Sequence, residues 1–131
     1  MSNRKKITLP SGSIELHPDG YLKVIMSDYS EIDLEEAKKR EAAFFEVSNK
    51  IPMPFLIETR SKLIDYSEEA RAFFANNSKM DTIRLAEAFI VNNIGIRLFI
   101  ENYIRKNPQK CPVKIFKNED DAVEWIQQFI D

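Results

Sequence analysis

One cysteine, one histidine and three glycines leave little room for familiar site chemistry. A lone Cys111 makes no internal disulfide, and with His17 as the sole imidazole there is no basis for a His-rich metal site or a Ser/His pair. The scattered glycines form no phosphate-cradling loop, and Gly95, alone in a helical pattern, is expected to allow close helix packing. An excess of one charge is missing too. Nineteen basic against 21 acidic residues give a formal −2, without the basic footprint that nucleic-acid binding requires. No apolar run approaches the ~20 residues of a membrane span, and the basic start SNRKKI is not followed by the apolar core of a secretory signal. Together these absences predict a cytoplasmic chain with no metal, no cofactor and no catalytic constellation.

What is present is enough apolar residue, 44% of 131, to build one core without disulfide or metal staples. Residues 1–12 are expected to be a flexible segment and 13–131 a single domain. SIELHP and YLKVIM flank Asp19-Gly20, a hairpin signal because glycine tolerates the positive φ of a tight turn. Asp33, with Glu36 three residues on, starts a helix through DLEEAKKREAAFFEVSNK. The prolines at 52 and 54 end that segment. PFLIET, RLAEAFIV and VKIF read as strands, SEEARAFFANN and NIGIRLFIENYIRKN as helices, and EDDAVEWIQQFI, capped by Asn118, as the last helix. This order predicts an α/β fold: an N-terminal β-hairpin, then right-handed β-α repeats. The sheet is expected to be mostly parallel and five-stranded, with four helices mainly on one face.

Splitting each strand by its two-residue period gives one wholly apolar set and one set carrying single charges. The second set includes Tyr21, Lys23, Glu58, Glu87, Phe89, Lys114 and Phe116. With all crossovers on the other side, it is expected to form an open face, paired as Lys23 with Glu58 and Glu87 with Lys114. Such a face, holding three aromatic residues, is a candidate homodimer surface or small-molecule or lipid-binding surface. Ion pairing is the simpler account of Glu58 and Glu87, which otherwise resemble an acid/base pair. Cys111 has Lys110 beside it but no base, so a reactive thiol is not expected.

LIDYSEEAR, Leu63 to Arg71, places Ser67 before two glutamates and an apolar helix, which is an N-cap pattern. Around it, FLIETRSKLIDYSEEARAFF resembles the corresponding part of SpoIIAA-like, or STAS, domains, the anti-sigma-factor antagonists and their relatives. Asp65, Tyr66 and Ser67 match that family's Asp-x-Ser, whose serine a partner kinase phosphorylates. A glycine usually follows that serine, where Glu68 stands here. DLEEA, IDYSEEAR, AEAFIV, GIRLFIENY, CPVKIF and EDDAVEWI are similar to motifs of small bacterial STAS-like proteins of Bacteroidetes type, over residues 13 to 130. The resemblance implies a non-enzymatic regulatory module. Its candidate phospho-switch or partner-binding residues are Asp65, Tyr66, Ser67, Glu68 and Arg71, and its partner is a kinase, an anti-sigma factor or a second copy.

Overall fold

Gly20, at φ 101°, turns the chain between β2 (Gly12–His17) and β3 (Tyr21–Met26), its amide donating to the His17 carbonyl at 3.0 Å. The hairpin therefore forms where Asp19-Gly20 predicts it. The computed structural model describes residues 5–59, 63–77, 79–107 and 110–130. One addition precedes the hairpin. β1 (Lys6–Leu9), within the segment expected to be flexible, pairs antiparallel with β2, Ile7 opposite Ile14. Ile7 and Leu9 pack against the core, which gives this short edge strand a reason to order. Residues 1–4 of that segment lie outside the described residues.

The remaining elements are β4 (Tyr29–Ile32), α1 (Leu34–Ser48), β5 (Met53–Glu58), β6 (Leu63–Tyr66), α2 (Glu68–Ala75), β7 (Arg84–Ile90), α3 (Ile94–Lys106), β8 (Val113–Phe116) and α4 (Glu119–Ile126). The four caps stand where the sequence places them. Asp33, Ser67, Asn93 and Asn118 each accept an amide of their helix's first turn through a side-chain oxygen. The main sheet is six-stranded, in order β1-β2-β3-β5-β7-β8, with β3, β5, β7 and β8 parallel. The mixed sheet is thus one strand larger than expected, because β1 joins its edge.

α1, α2 and α3 bury Ala37, Phe44, Ala70, Phe74, Ile96 and Ile100 on one face of the sheet, in a cluster with Leu22, Val24, Phe55 and Ile57. α4 lies on the other face, packing Ala122 and Ile126 over Tyr21, Leu56, Ala88 and Ile90. The crossover rule governs only helices between parallel strands. α4 follows the last strand and is free to cover the back.

That placement corrects the expected open face. Lys23, Leu56, Ala88 and Lys114 stand side by side across the strands, and so do Phe55, Glu87 and Val113. Tyr21, Lys23, Glu58, Lys114 and Phe116 therefore share the α4 face, whereas Glu87 and Phe89 point to the three-helix face. Lys23 opposes Leu56 and makes its ion pair with Glu119 of α4 at 3.2 Å. Glu87 cannot reach Lys114 through the sheet. A central strand packed on both sides is rich in apolar residues on both sets, so its alternation does not say which set is inside.

Candidate functional site

β4 and β6 form a separate two-stranded parallel ribbon. Each continues a strand of the main sheet after a short break, β4 after β3 and β6 after β5, so the ribbon extends the carboxyl end of a parallel pair. That is the end where α/β folds expose their functional loops. Ser30, Ile32 and Ile64 face inward and are buried; Tyr29, Glu31, Leu63 and Asp65 face outward and are exposed. Tyr29 stands opposite Leu63 and Glu31 opposite Asp65.

Ser67 ends the ribbon and starts α2. Its amide donates to the Ile32 carbonyl at 2.9 Å, and its hydroxyl accepts the Ala70 amide at 3.1 Å. The hydroxyl is therefore a cap on a half-buried residue, with Glu68 and Glu69 exposed beside it on the helix's positive end. Arg71 is half-buried, and its Nε has no hydrogen-bond partner among the described residues. Of the five residues of the expected motif, Asp65 and Glu68 are outside and Tyr66 is turned in. Its ring lies 6.3 Å from that of Phe74, edge to face, and 6.2 Å from that of Phe99.

Tyr66 lines a cavity of about 90 Å³ between the sheet and the three helices. Its wall is mostly apolar, with aromatic side chains such as Phe44, Phe55, Phe89 and Phe99 and with Met26 and Met80 beside them. Three charged residues also border it: Arg40, Arg84 and Glu87, which are 3%, 7% and 8% exposed. Arg40 donates to Ser11 Oγ at 3.0 Å, and that hydroxyl donates to Glu36 at 2.7 Å, so a serine relays the arginine to its counter-charge. Arg84 donates to Asp81 at 3.0 Å. Among the described residues Glu87 is ion-paired with Arg84, Nη1 to Oε2 at 3.9 Å. Burial raises the Glu87 carboxyl above the usual carboxylate range, with Arg84 pulling it down and Asp81 pushing it up. Tyr66 is likewise raised, first by burial, while Arg40 lowers it and Glu87 raises it.

Glu87, a charge in the middle of the apolar run RLAEAFIV, is the signal the sequence offers for this cavity. Arg40, Arg84, Met80 and Phe99 carried none, since each looks like an ordinary helix or strand residue. Cys111 is half-buried, and desolvation pushes its thiol up to about 11, against any nucleophilic role. No group of three or more His, Cys, Asp or Glu side chains among the described residues is arranged to hold a metal ion. No helix among them is long and apolar enough to cross a membrane.

A family profile described as a domain of unknown function, DUF7793, matches residues 14–130. The chain belongs to the DUF7793 family. Among solved structures, this DUF7793 chain is similar to an uncharacterised protein of the DUF3478 family from Shewanella loihica PV-4, described as having a SpoIIAA-like fold. The two are 19% identical with a TM-score of 0.61, over 86% of this chain and 90% of that one. At that identity the likeness speaks for fold alone, and the fold is SpoIIAA-like, or STAS-like. Comparison with curated proteins gives no match.

Proposed function

We propose that this DUF7793 domain is a non-catalytic, STAS-like regulatory module that binds a protein partner through the outward face of the β4–β6 ribbon and the start of α2. One observation carries the reading. Tyr29 is 66% and Leu63 49% exposed on directly paired positions, and the next outward pair sets Glu31 against Asp65. Like charges directly opposite one another destabilise a strand pair, and large apolar side chains in water contribute little to folding. Glu31 against Asp65 does not favour the ribbon itself, and the exposed Tyr29–Leu63 pair beside it suits a partner surface with an apolar anchor flanked by basic residues.

Ser67 adjoins this face, which supports a switch of the antagonist type. A phosphoryl group there would bring about −1.5 to −2 charge beside Asp65, Glu68 and Glu69 and would displace the hydroxyl from its cap. The expected result is a changed affinity for the basic partner and a loosened first turn of α2.

Site-specific photo-crosslinking in cells tests the reading. A crosslinking residue at position 31 should give one discrete product, lost in the Tyr29→Ser/Leu63→Ser double variant and not formed from position 39 on exposed α1 surface. Equal products from both positions, or none at 31, would count against it. Because both substitutions are on the surface, the double variant should stay within about 0.5 kcal/mol per site of the parent in stability.

A further inference from the structure

Arg40 is buried with part of its hydrogen-bonding capacity unmet. It is 3% exposed and lies on the wall of the cavity beneath Tyr66. Its Nη1 donates to Ser11 Oγ at 3.0 Å and its Nη2 to the Met26 thioether at 3.4 Å, while Nε has no hydrogen-bond partner among the described residues. Sulfur is a weak acceptor. The edge formed by Nε and Nη2, where a guanidinium can take a carboxylate through two parallel N–H bonds, therefore lacks an oxygen acceptor. A buried N–H left unpaired costs stability, and an apolar side chain of similar size would fill position 40 without that cost.

The charges around the cavity point the same way. Two arginines, Arg40 and Arg84, border it against one carboxylate, Glu87. Arg84 shares the unpartnered Nε, but it holds two carboxylates directly, Asp81 at 3.0 Å and Glu87 at 3.9 Å. Among the described residues, Arg40 reaches a carboxylate only through Ser11, whose hydroxyl donates to Glu36. Arg40 also lies over the Phe44 ring, 5.7 Å from its centroid, a contact that holds the guanidinium in place and supplies no oxygen. Burial raises the Tyr66 pKa and the Arg40 charge lowers it, so the guanidinium is within electrostatic reach of the phenol.

The wall and the volume narrow the class. Phe74, Phe99 and Ile100 line the space and suit a hydrocarbon body, whereas a strongly hydrated dianion would lose its water there without replacement. An apolar cavity of about 150 Å³ accepts benzene, so one of about 90 Å³ takes a molecule of roughly four or five heavy atoms. We propose that the cavity between the sheet and α1–α3 is a binding site for a short-chain carboxylate, with the Nε edge of Arg40 taking the carboxylate and the apolar wall taking the chain. Met26, an unbranched and adaptable side chain, is the group that gives up its contact with Nη2. This site is independent of the ribbon's partner, although Tyr66 belongs to both neighbourhoods.

Methionine-methyl NMR tests the proposal with propionate, propionamide and propylammonium as anionic, neutral and cationic probes. Met26 and Met80 line the cavity, and Met53 is buried in the same core outside it. Propionate should shift the Met26 and Met80 signals saturably and leave Met53 in place, with propionamide binding about tenfold more weakly or worse. In Arg40→Gln the advantage of propionate over the amide should vanish. No saturable shift, equal binding of propionate and propionamide to the parent protein, preference for propylammonium, or shifts away from Met26 and Met80 would each overturn the proposal. So would an unchanged preference in Arg40→Gln. Should that variant fail to fold, the Arg40 Nε–H signal of the parent decides: it should move downfield with propionate and not with propionamide, and a signal that stays in place would overturn the proposal.

Discussion

Glu87 and Phe55 stand directly opposite one another on adjacent parallel strands, on the side that α1, α2 and α3 cover. A carboxyl group is thereby held against a phenyl ring inside the core, and burial raises its pKa from the ordinary 4.5. A raised folded pKa means that folding takes up a proton. The stability this proton provides is complete below the unfolded value and is lost as pH rises through the folded one. Urea midpoints measured from about pH 4 to 8 should therefore fall with pH more steeply in the parent than in Glu87→Gln. The variant should be the more stable at the alkaline end by on the order of 1 kcal/mol, because Arg84 keeps Asp81. Identical pH profiles would show that Glu87 is better solvated than its burial implies.

Ser67→Ala removes the oxygen that accepts the Ala70 amide and should cost about 1 kcal/mol in urea unfolding. Ser67→Asp should recover most of this, since aspartate caps as well as serine. A Ser67→Ala variant as stable as the parent would mean that the cap contributes nothing to the fold.

Gly12 has φ 140°, and a Cβ there would lie 2.0 Å from the backbone oxygen of Ile25. Both the dihedral and the contact forbid a side chain, at the point where β1 turns into β2. Gly12→Ala should lose at least about 2 kcal/mol in calorimetric unfolding. Gly95, at an exposed helix start with ordinary φ, has only the Asn93 side chain near it at 3.2 Å, so Gly95→Ala should be far milder.

Cys111, with its thiol pushed to about 11, should react with Ellman's reagent at least about tenfold more slowly than a free cysteine at pH 8. Adding urea should restore the ordinary rate. A fast reaction in the folded protein would mean that the thiol is more open to water than its half-buried position suggests.

Much of the architecture can be read from single residues with strong local preferences. Asp19-Gly20 marks the hairpin, and Asp33, Ser67, Asn93 and Asn118 mark four helix starts, because a side-chain oxygen at a cap works through contacts only two or three residues away. The β4–β6 ribbon is different. Its strands are four residues each, and SDYSEI and LIDY contain no pattern long enough to separate from loop; only the pairing of Tyr29–Ile32 with Leu63–Tyr66, distant in sequence, makes them strands. The side taken by Glu87 also depends on what packs on each face. Ala86 and Ala88 suit a close helix on either side, and the helix they meet is α4, whose position no crossover constrains.

α4 is also the last regular helix to be synthesised. Nothing in the order of β1 through β8 depends on α4, so the six-stranded sheet with its three crossover helices is complete in topology before residue 119 leaves the ribosome. Until α4 docks, the back of that sheet presents Tyr21, Leu56, Ala88 and Ile90 to water, a sticky surface on a nascent chain. Docking of α4 is the step that takes these four residues out of water.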